Sequence, residues 1–359
     1  MLHRPYRPGA APHIDLRRIA CAFAYLIAAS LLTACNQGAP PPAKSRNIAP
    51  GTRALLLVID QTDACEIAMI CGARRVAAEH PNLILEVAEV PLTADYGREF
   101  EETLKRQPAV VIVPASDDPR MLAARQVTLK TGIVLITYGD SNDPPERVGI
   151  FGHISTDRAA AAEMLGHELS NFASERKSYV LAQSAADARR GIGDRFRSGV
   201  GTRVGPTLLS DATYAESATS GPSGPDAIRA LLKQFPNTTL AITLDASPWL
   251  AEPPAKLLGE RQVMATVGAS PALWPALRQR KCIAMVGVMD GQVGEAIMRL
   301  AFGALLATEK GPAFRAIPNE LVTTDLLERF AHRYAAAAGM SAAQLLPDLP
   351  AASQPAVLP

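Results

Sequence analysis

From Arg53 onward the chain alternates between short apolar, β-branched runs and longer segments in which apolar residues recur every third or fourth position. The short runs are Arg53 to Ile59, Leu83 to Val90, Ala109 to Val113, Gly132 to Tyr138 and Val148 to Ile154, then Ser178 to Gln183, Thr239 to Leu244, Gln262 to Val267 and Cys282 to Val288. Their length and near-continuous apolarity predict strands covered on both faces. The amphipathic segments predict helices over Glu66 to His80, Arg98 to Gln107, Pro119 to Thr131, Arg158 to Phe172, Asp226 to Phe235, Pro271 to Arg280 and Gln292 to Glu309. Strand and helix in strict succession are the signature of parallel α/β sheets, wound by right-handed crossovers. No short-period repeat is visible, although both halves share the βα rhythm.

Length divides this pattern in two. The 359 residues exceed what one hydrophobic core organises, so two lobes are expected. Aromatic residues make up only 5% of the chain, which leaves Val, Ile, Leu and Ala to build the cores.

The first residues decide a different question, where the protein resides. Arg4, Arg7, Arg17 and Arg18 form a positive region ahead of an apolar stretch from Ile19 to Leu32. That is the layout of a signal peptide, and it is short of the about twenty residues that a membrane span needs. The run ends in Leu32-Thr33-Ala34-Cys35, which resembles a bacterial lipobox. The resemblance implies cleavage before Cys35 and lipidation of its thiol, palmitate among the acyl chains; two or more chains anchor stably to a membrane. An ordinary secretory signal with a chance cysteine is the alternative. Loss of residues 1–34 removes four arginines and Asp15 and takes the formal net charge from +1 to about −2, which offers nothing to attract nucleic acid. Residues 35–52, with Pro40, Pro41, Pro42 and Pro50, read as an extended tether.

The stretch from about Ala54 to Asp325 resembles the type I periplasmic binding proteins, the ribose- and galactose-binding family whose fold is shared by the ligand domains of lactose-repressor-like regulators. Landmarks follow in order: Ala54 to Ile59 with Gly72-Ala73 on the next helix, Val110 to Ser116, Gly132 to Thr137, and Gly152 to Asp157 before a small-residue helix. Arg190-Gly191-Ile192-Gly193 and Asp290 to Gly294 complete the set, which covers roughly three quarters of the chain. The resemblance implies an α/β fold of two Rossmann-like lobes with parallel sheets joined by a three-strand hinge. The lobes would hold residues 53–173 with 289–316 and residues 174–288 with 317–326, leaving 327–359 as a C-terminal helix and tail, the helix packed across one lobe.

In such a fold the ligand sits at the carboxyl ends of the strands, between lobes that close by hinge motion. The mouth loops are then Asp60 to Glu66, Pro114 to Asp117, Tyr138 to Asp140, Ser155 to Asp157, Ser184 to Arg190, Asp245 to Trp249, Gly268 to Ser270 and Val288 to Asp290. In the first, Asp63, Cys65 and Glu66 stand where the family places asparagine and phenylalanines. Asp63, Thr156 and Arg190 are the polar anchors that remain. Val113, Tyr138, Ala269 and Val288 replace polar residues, although a small register shift brings Asp140 in for Tyr138. Such a pocket suits a ligand smaller or less polar than a hexose, because each unpaired buried hydroxyl costs about 1–3 kcal/mol.

Most candidates have a plainer alternative. Arg190 can grip an oxygen in a bidentate fork or lie solvated beside Arg189. Tyr138 can stack on a ligand or cap the core, and Asp157 suits an N-cap. Asp63 and Asp245 can accept ligand hydroxyls or serve their turns, and Asp290 is read as a ligand-binding residue. Trp249 can pack or reach the mouth. Cys65 and Cys71 can form a disulfide only if Cys65 precedes the helix, since six residues of helical rise separate the α-carbons by about 9 Å; free thiols are expected, and Cys282 is read as an inert core residue.

No HExxH, CxxC pair, Walker loop or GxSxG elbow is present, and His167-Glu168 lacks a second histidine four positions on. Neither an enzyme nor a metal or other cofactor is therefore expected. The expectation is a monomeric, lipid-anchored solute-binding protein on the periplasmic side of the envelope that hands a small molecule to an ABC permease. A sensor lipoprotein presenting its closed form to a signalling receptor, or an envelope interaction protein with a degenerate cleft, are the alternatives. Asn36 after Cys35 is not the aspartate that retains enteric lipoproteins at the inner membrane, so inner and outer membrane both stay open; outer-membrane sorting in a Gram-negative organism would suit a permease partner poorly.

Overall fold

The computed structural model describes residues 48–345, apart from 62, 92–94, 116–118, 141–148, 172–177, 202–205 and 216–220. The expected signal segment, Cys35, the tether up to residue 47 and the end of the tail lie outside the described residues. The part of the tether that is described is folded: Ile48 is buried in the first core, and Gly51, at φ 81°, turns the chain into the first strand.

In the first lobe, β1 (Thr52–Val58), β2 (Leu83–Glu89), β3 (Val110–Pro114), β4 (Val134–Gly139) and β5 (Gly152–Ser155) alternate with α1 (Ala64–Ala78), α2 (Tyr96–Leu104) and α3 (Pro119–Thr131). With β11 (Ala313–Ala316) the strands form one sheet in the order β11-β5-β4-β3-β1-β2, parallel at every pairing. β1 shows why its sequence is apolar throughout. Ala54, Leu56 and Val58 face Met69, Ala73 and Ile297, whereas Leu55 and Leu57 face Phe100 and Met121 on the opposite side.

The second sheet has the order β12-β10-β9-β8-β6-β7. Its strands are β6 (Ser178–Ser184), β7 (Thr207–Tyr214), β8 (Leu240–Thr243), β9 (Val263–Val267), β10 (Cys282–Gly287) and β12 (Glu320–Val322), the last antiparallel to β10. α4 (Arg158–Asn171), α5 (Ala185–Arg189), α6 (Ile192–Val200), α7 (Gly224–Gln234), α8 (Ser247–Ala251), α9 (Pro254–Leu257) and α10 (Trp274–Arg278) surround it. α11 (Asp290–Leu305) returns to the first lobe and lies along α1. Their contact is close enough that a Cβ on Gly294 would stand 1.9 Å from the Met69 carbonyl oxygen.

Three details depart from the sequence reading. α4 packs through Ala161, Ala162, Leu165 and Leu169 onto the second sheet, so the first crossing lies at residues 156–157 and not near residue 173. The crossing has moved because Gly166 and Gly199 let α4 and α6 touch backbone to backbone; a Cβ on Gly199 would be 2.2 Å from the Glu163 carbonyl oxygen. β7 has no counterpart in the sequence reading, because this edge strand alternates exposed and partly covered positions and its polar residues mask the period.

The third departure concerns α12 (Leu327–Ala338), expected to cross one lobe. It buries Leu327, Phe330, Ala331 and Tyr334 in the core of the second lobe, with Phe330 and Tyr334 edge-on to Trp274 at 5.9 and 5.4 Å. Its other side meets the first lobe: Arg75 donates to the Ala336 carbonyl at 2.8 Å, and the Ala337 carbonyl oxygen would be 2.4 Å from a Cβ on Gly291. The helix thus bridges the lobes. A last short turn, α13 (Ala342–Leu345), follows.

Candidate functional site: the cleft between the lobes

The carboxyl ends of both sheets open on one cleft. A cavity of about 320 Å³ runs between them, walled by Thr156 and Arg158 after β5, Asp245 and Leu250 after β8, Val288 after β10, and Cys65 from the first lobe. A second cavity, about 440 Å³, opens between the ends of β6, β7 and β8. Arg158, Asp245 and Ser247 line both.

Arg158 therefore occupies the junction of the two spaces. Its Nη1 donates to Asp187 Oδ1 at 3.0 Å, and Asp187 is wholly buried while the Arg158 side chain is 34% exposed. Burial pushes the Asp187 carboxyl up against the opposing pull of Arg158. Asp187 is held in turn as the third residue of α5, its N–H donating to the Ser184 side chain at 3.0 Å. The remaining guanidinium N–H groups of Arg158 have no acceptor among the described residues. In the sequence Arg158 shows only as a basic residue that opens a helix directly after a strand, one position beyond the candidate Asp157.

Arg190 serves a different purpose. At the end of α5 it reaches across to the first lobe, and its Nη1 lies 3.0 Å from Asp140 Oδ2, with only 9% of the side chain exposed. Of the two residues weighed at the end of β4, Asp140 takes part in the cleft and Tyr138 does not. Tyr138 is buried and donates its hydroxyl to the Leu57 carbonyl at 3.0 Å, so it caps the core of the first lobe.

The other candidates divide in the same way. Asp63 is the N-cap of α1, accepting from the N–H groups of Cys65 and Glu66 at 2.8 and 3.0 Å. Glu66 folds back to accept from the N–H groups of Ile59 and Asp60, which fastens the β1–α1 loop; burial pushes its carboxyl up to about 7 against the pull of those two donors. Asp157, at φ 39°, accepts from Ala160 N–H at 3.0 Å and caps α4. Trp249 is in the core of the second lobe, its indole donating to Thr243 at 2.8 Å, and does not reach the mouth. These groups are turned toward the frame because their hydrogen-bonding capacity is spent there.

Thr156, Cys65, Asp245 and Asp290 do line the cleft cavity. Asp245 accepts from Tyr214 O–H and from both the N–H and the hydroxyl of Ser247. Asp290 accepts from Tyr334 O–H at 2.7 Å and is pushed up to about 6 by burial, against the hydrogen bonds from Tyr334 and Cys65 that pull it down. Burial, reinforced by Asp290 and Asp63, raises the Cys65 thiol. Cys65 and Cys71 both lie within α1 and are free thiols, as is the buried Cys282. No group of metal-ligating side chains is found among the described residues, and no described helix is long and apolar enough to cross a membrane.

No family profile and no curated sequence matches the chain. Solved structures do resemble it. An ABC transporter solute-binding protein from Burkholderia graminis, in complex with D-arabinose, matches with a TM-score of 0.65 at 12% identity, over 78% of this chain and 97% of that one. One from Bacillus halodurans with bound myo-inositol matches at 0.64 and 13% identity, over 79% and 98%. A periplasmic ribose ABC transporter structure from Conexibacter woesei gives 0.63 and 12%, over 79% and 96%. Such low identity speaks to architecture, and with two six-stranded sheets joined by three crossings the chain has the fold of the type I periplasmic binding proteins.

Proposed function

We propose that this protein is a lipid-anchored extracytoplasmic solute-binding protein whose lobes close around a small ligand, sugar-like or less polar than a sugar, and deliver it to an ABC permease. The observation that carries the reading is Arg158: a guanidinium fixed by a buried carboxylate, with donors left over, facing an open cavity at the strand ends of a two-lobed fold. Fixed donors of this kind orient an oxygen-bearing ligand at little entropic cost. The anchoring part of the proposal rests on the lipobox-like Leu32 to Cys35. Against a degenerate cleft stands the space itself, since Val113 and Tyr138 turn into the core and Val288 lines a cavity that stays open.

The test is a thermal-shift screen of the full-length chain against pentoses, hexoses, polyols, nucleosides and lactones. A ligand at a hundred times its dissociation constant stabilises by about 2.7 kcal/mol, a shift of several degrees. A hit that Thr156→Val weakens places the ligand in the cleft, and silence across the panel rejects the receptor reading. Separately, Cys35→Ala moves the protein from the membrane to the soluble fraction if the anchor is as proposed.

A further inference from the structure

The cleft combines two features that together specify a ligand class. Polar groups with unspent capacity gather on one side. Arg158 has its one hydrogen bond among the described residues to Asp187, Thr156 stands two residues before it, and Asn319 joins them by donating its amide to the Asp157 carbonyl at 2.9 Å. The other polar groups of the wall are consumed by the protein, Asp245 by Tyr214 and Ser247, and Asp290 by Tyr334. What remains of the wall is aliphatic: Leu250, 40% exposed, and half-buried Val288, backed by Val267, Val286 and Ala269, which are buried in the cores. The aromatic side chains that a sugar face would stack on are elsewhere, with Tyr138 and Trp249 both packed into cores.

Charge narrows the class further. Arg158 is paired with buried Asp187 and Arg190 with Asp140, and Asp245 lines both cavities beside Arg158 without an ion pair of its own among the described residues. Negative charge therefore exceeds positive at the polar end, so a carboxylate ligand meets repulsion beyond the one cation that would receive it. A ligand with hydroxyls all round fares poorly for another reason, because those turned toward Leu250 and Val288 lose water without gaining a partner.

We infer that the cleft selects a neutral, amphipathic small molecule: hydroxyl or carbonyl oxygens at one end, received by Arg158 and Thr156 beside Asn319, and an aliphatic body lying on Leu250 and Val288. This rests on the reading of the cleft as a ligand site and names the class it takes.

Three probes of one ring size separate the possibilities when titrated calorimetrically into the full-length chain: cis-1,2-cyclohexanediol, myo-inositol and cyclohexanecarboxylate. The diol is expected to bind at least tenfold tighter than either of the others, and Leu250→Asp, at an exposed position, to weaken it at least tenfold while leaving the melting temperature unchanged. Tighter binding of inositol overturns the amphipathic class and leaves the receptor reading intact. Tighter binding of the carboxylate overturns the charge argument. Diol binding that Leu250→Asp does not change overturns the proposed pose. If none of the three binds, the inference fails, and the wider panel of sugars, nucleosides and lactones shows whether the receptor reading fails with it.

Discussion

Tyr334→Phe tests how the C-terminal helix is fastened between the lobes. The substitution keeps the ring against Trp274 and Phe330 and deletes only the hydroxyl that donates to Asp290 Oδ2 at 2.7 Å. At pH 8 Asp290 is ionised, and losing a hydrogen bond to a charged group in a partly desolvated site costs about 1.5–3 kcal/mol. At pH 5 it is mostly protonated, since burial has pushed it up to about 6, and the bond lost is between neutral groups, worth about 0.5–1.5 kcal/mol. The sign follows from proton linkage. A carboxyl whose folded value is raised makes the folded state bind more protons, so its contribution favours folding at low pH and fades as pH rises through about 6. The Tyr334 bond holds that value down, so its removal raises the value further and widens the gap between variant and parent toward alkaline pH. Glu66, at about 7, imposes the same trend on both proteins and cancels in the difference. Urea denaturation of both proteins at pH 5 and pH 8 measures the two differences. An equal loss at both values, or a larger loss at pH 5, would refute the reasoning.

Other outcomes follow from single contacts. Arg158→Gln leaves Asp187 buried without its cation and should cost about 3–5 kcal/mol in urea denaturation, most of it recovered by adding Asp187→Asn. Arg190→Ala breaks the ion pair that crosses the cleft to Asp140; stability should fall by about 1.5–3 kcal/mol, and spin labels placed on the two lobes should report a longer, broader distance. Gly294→Ala forces a Cβ to within 1.9 Å of the Met69 carbonyl oxygen and should cost about 3 kcal/mol or more, read as a lowered melting temperature, because α1 and α11 must separate.

The sequence by itself determined the βα rhythm and the two parallel sheets, because strands buried on both faces must be apolar without interruption, as Ala54 to Val58 are. It also located the mouth of the cleft, since ligands gather at the strand ends of such sheets, and it allowed for the cap that Asp157 forms, since short acidic side chains satisfy the open N–H groups of a helix start. Only the tertiary structure decided which residues at that mouth face the space. Asp63, Glu66, Tyr138 and Trp249 have the chemistry of ligand-binding groups, yet backbone donors and acceptors nearby, or Thr243 for Trp249, claim them. Arg158 looks like any solvated helix residue until Asp187, twenty-nine positions along the chain, comes within 3.0 Å and fixes it at the junction of two cavities. The same holds for Arg190 with Asp140 and for Tyr334 with Asp290. Hydrophobic period is a local property that a sequence displays directly. Which hydrogen bond a polar side chain makes depends on partners that only folding brings near.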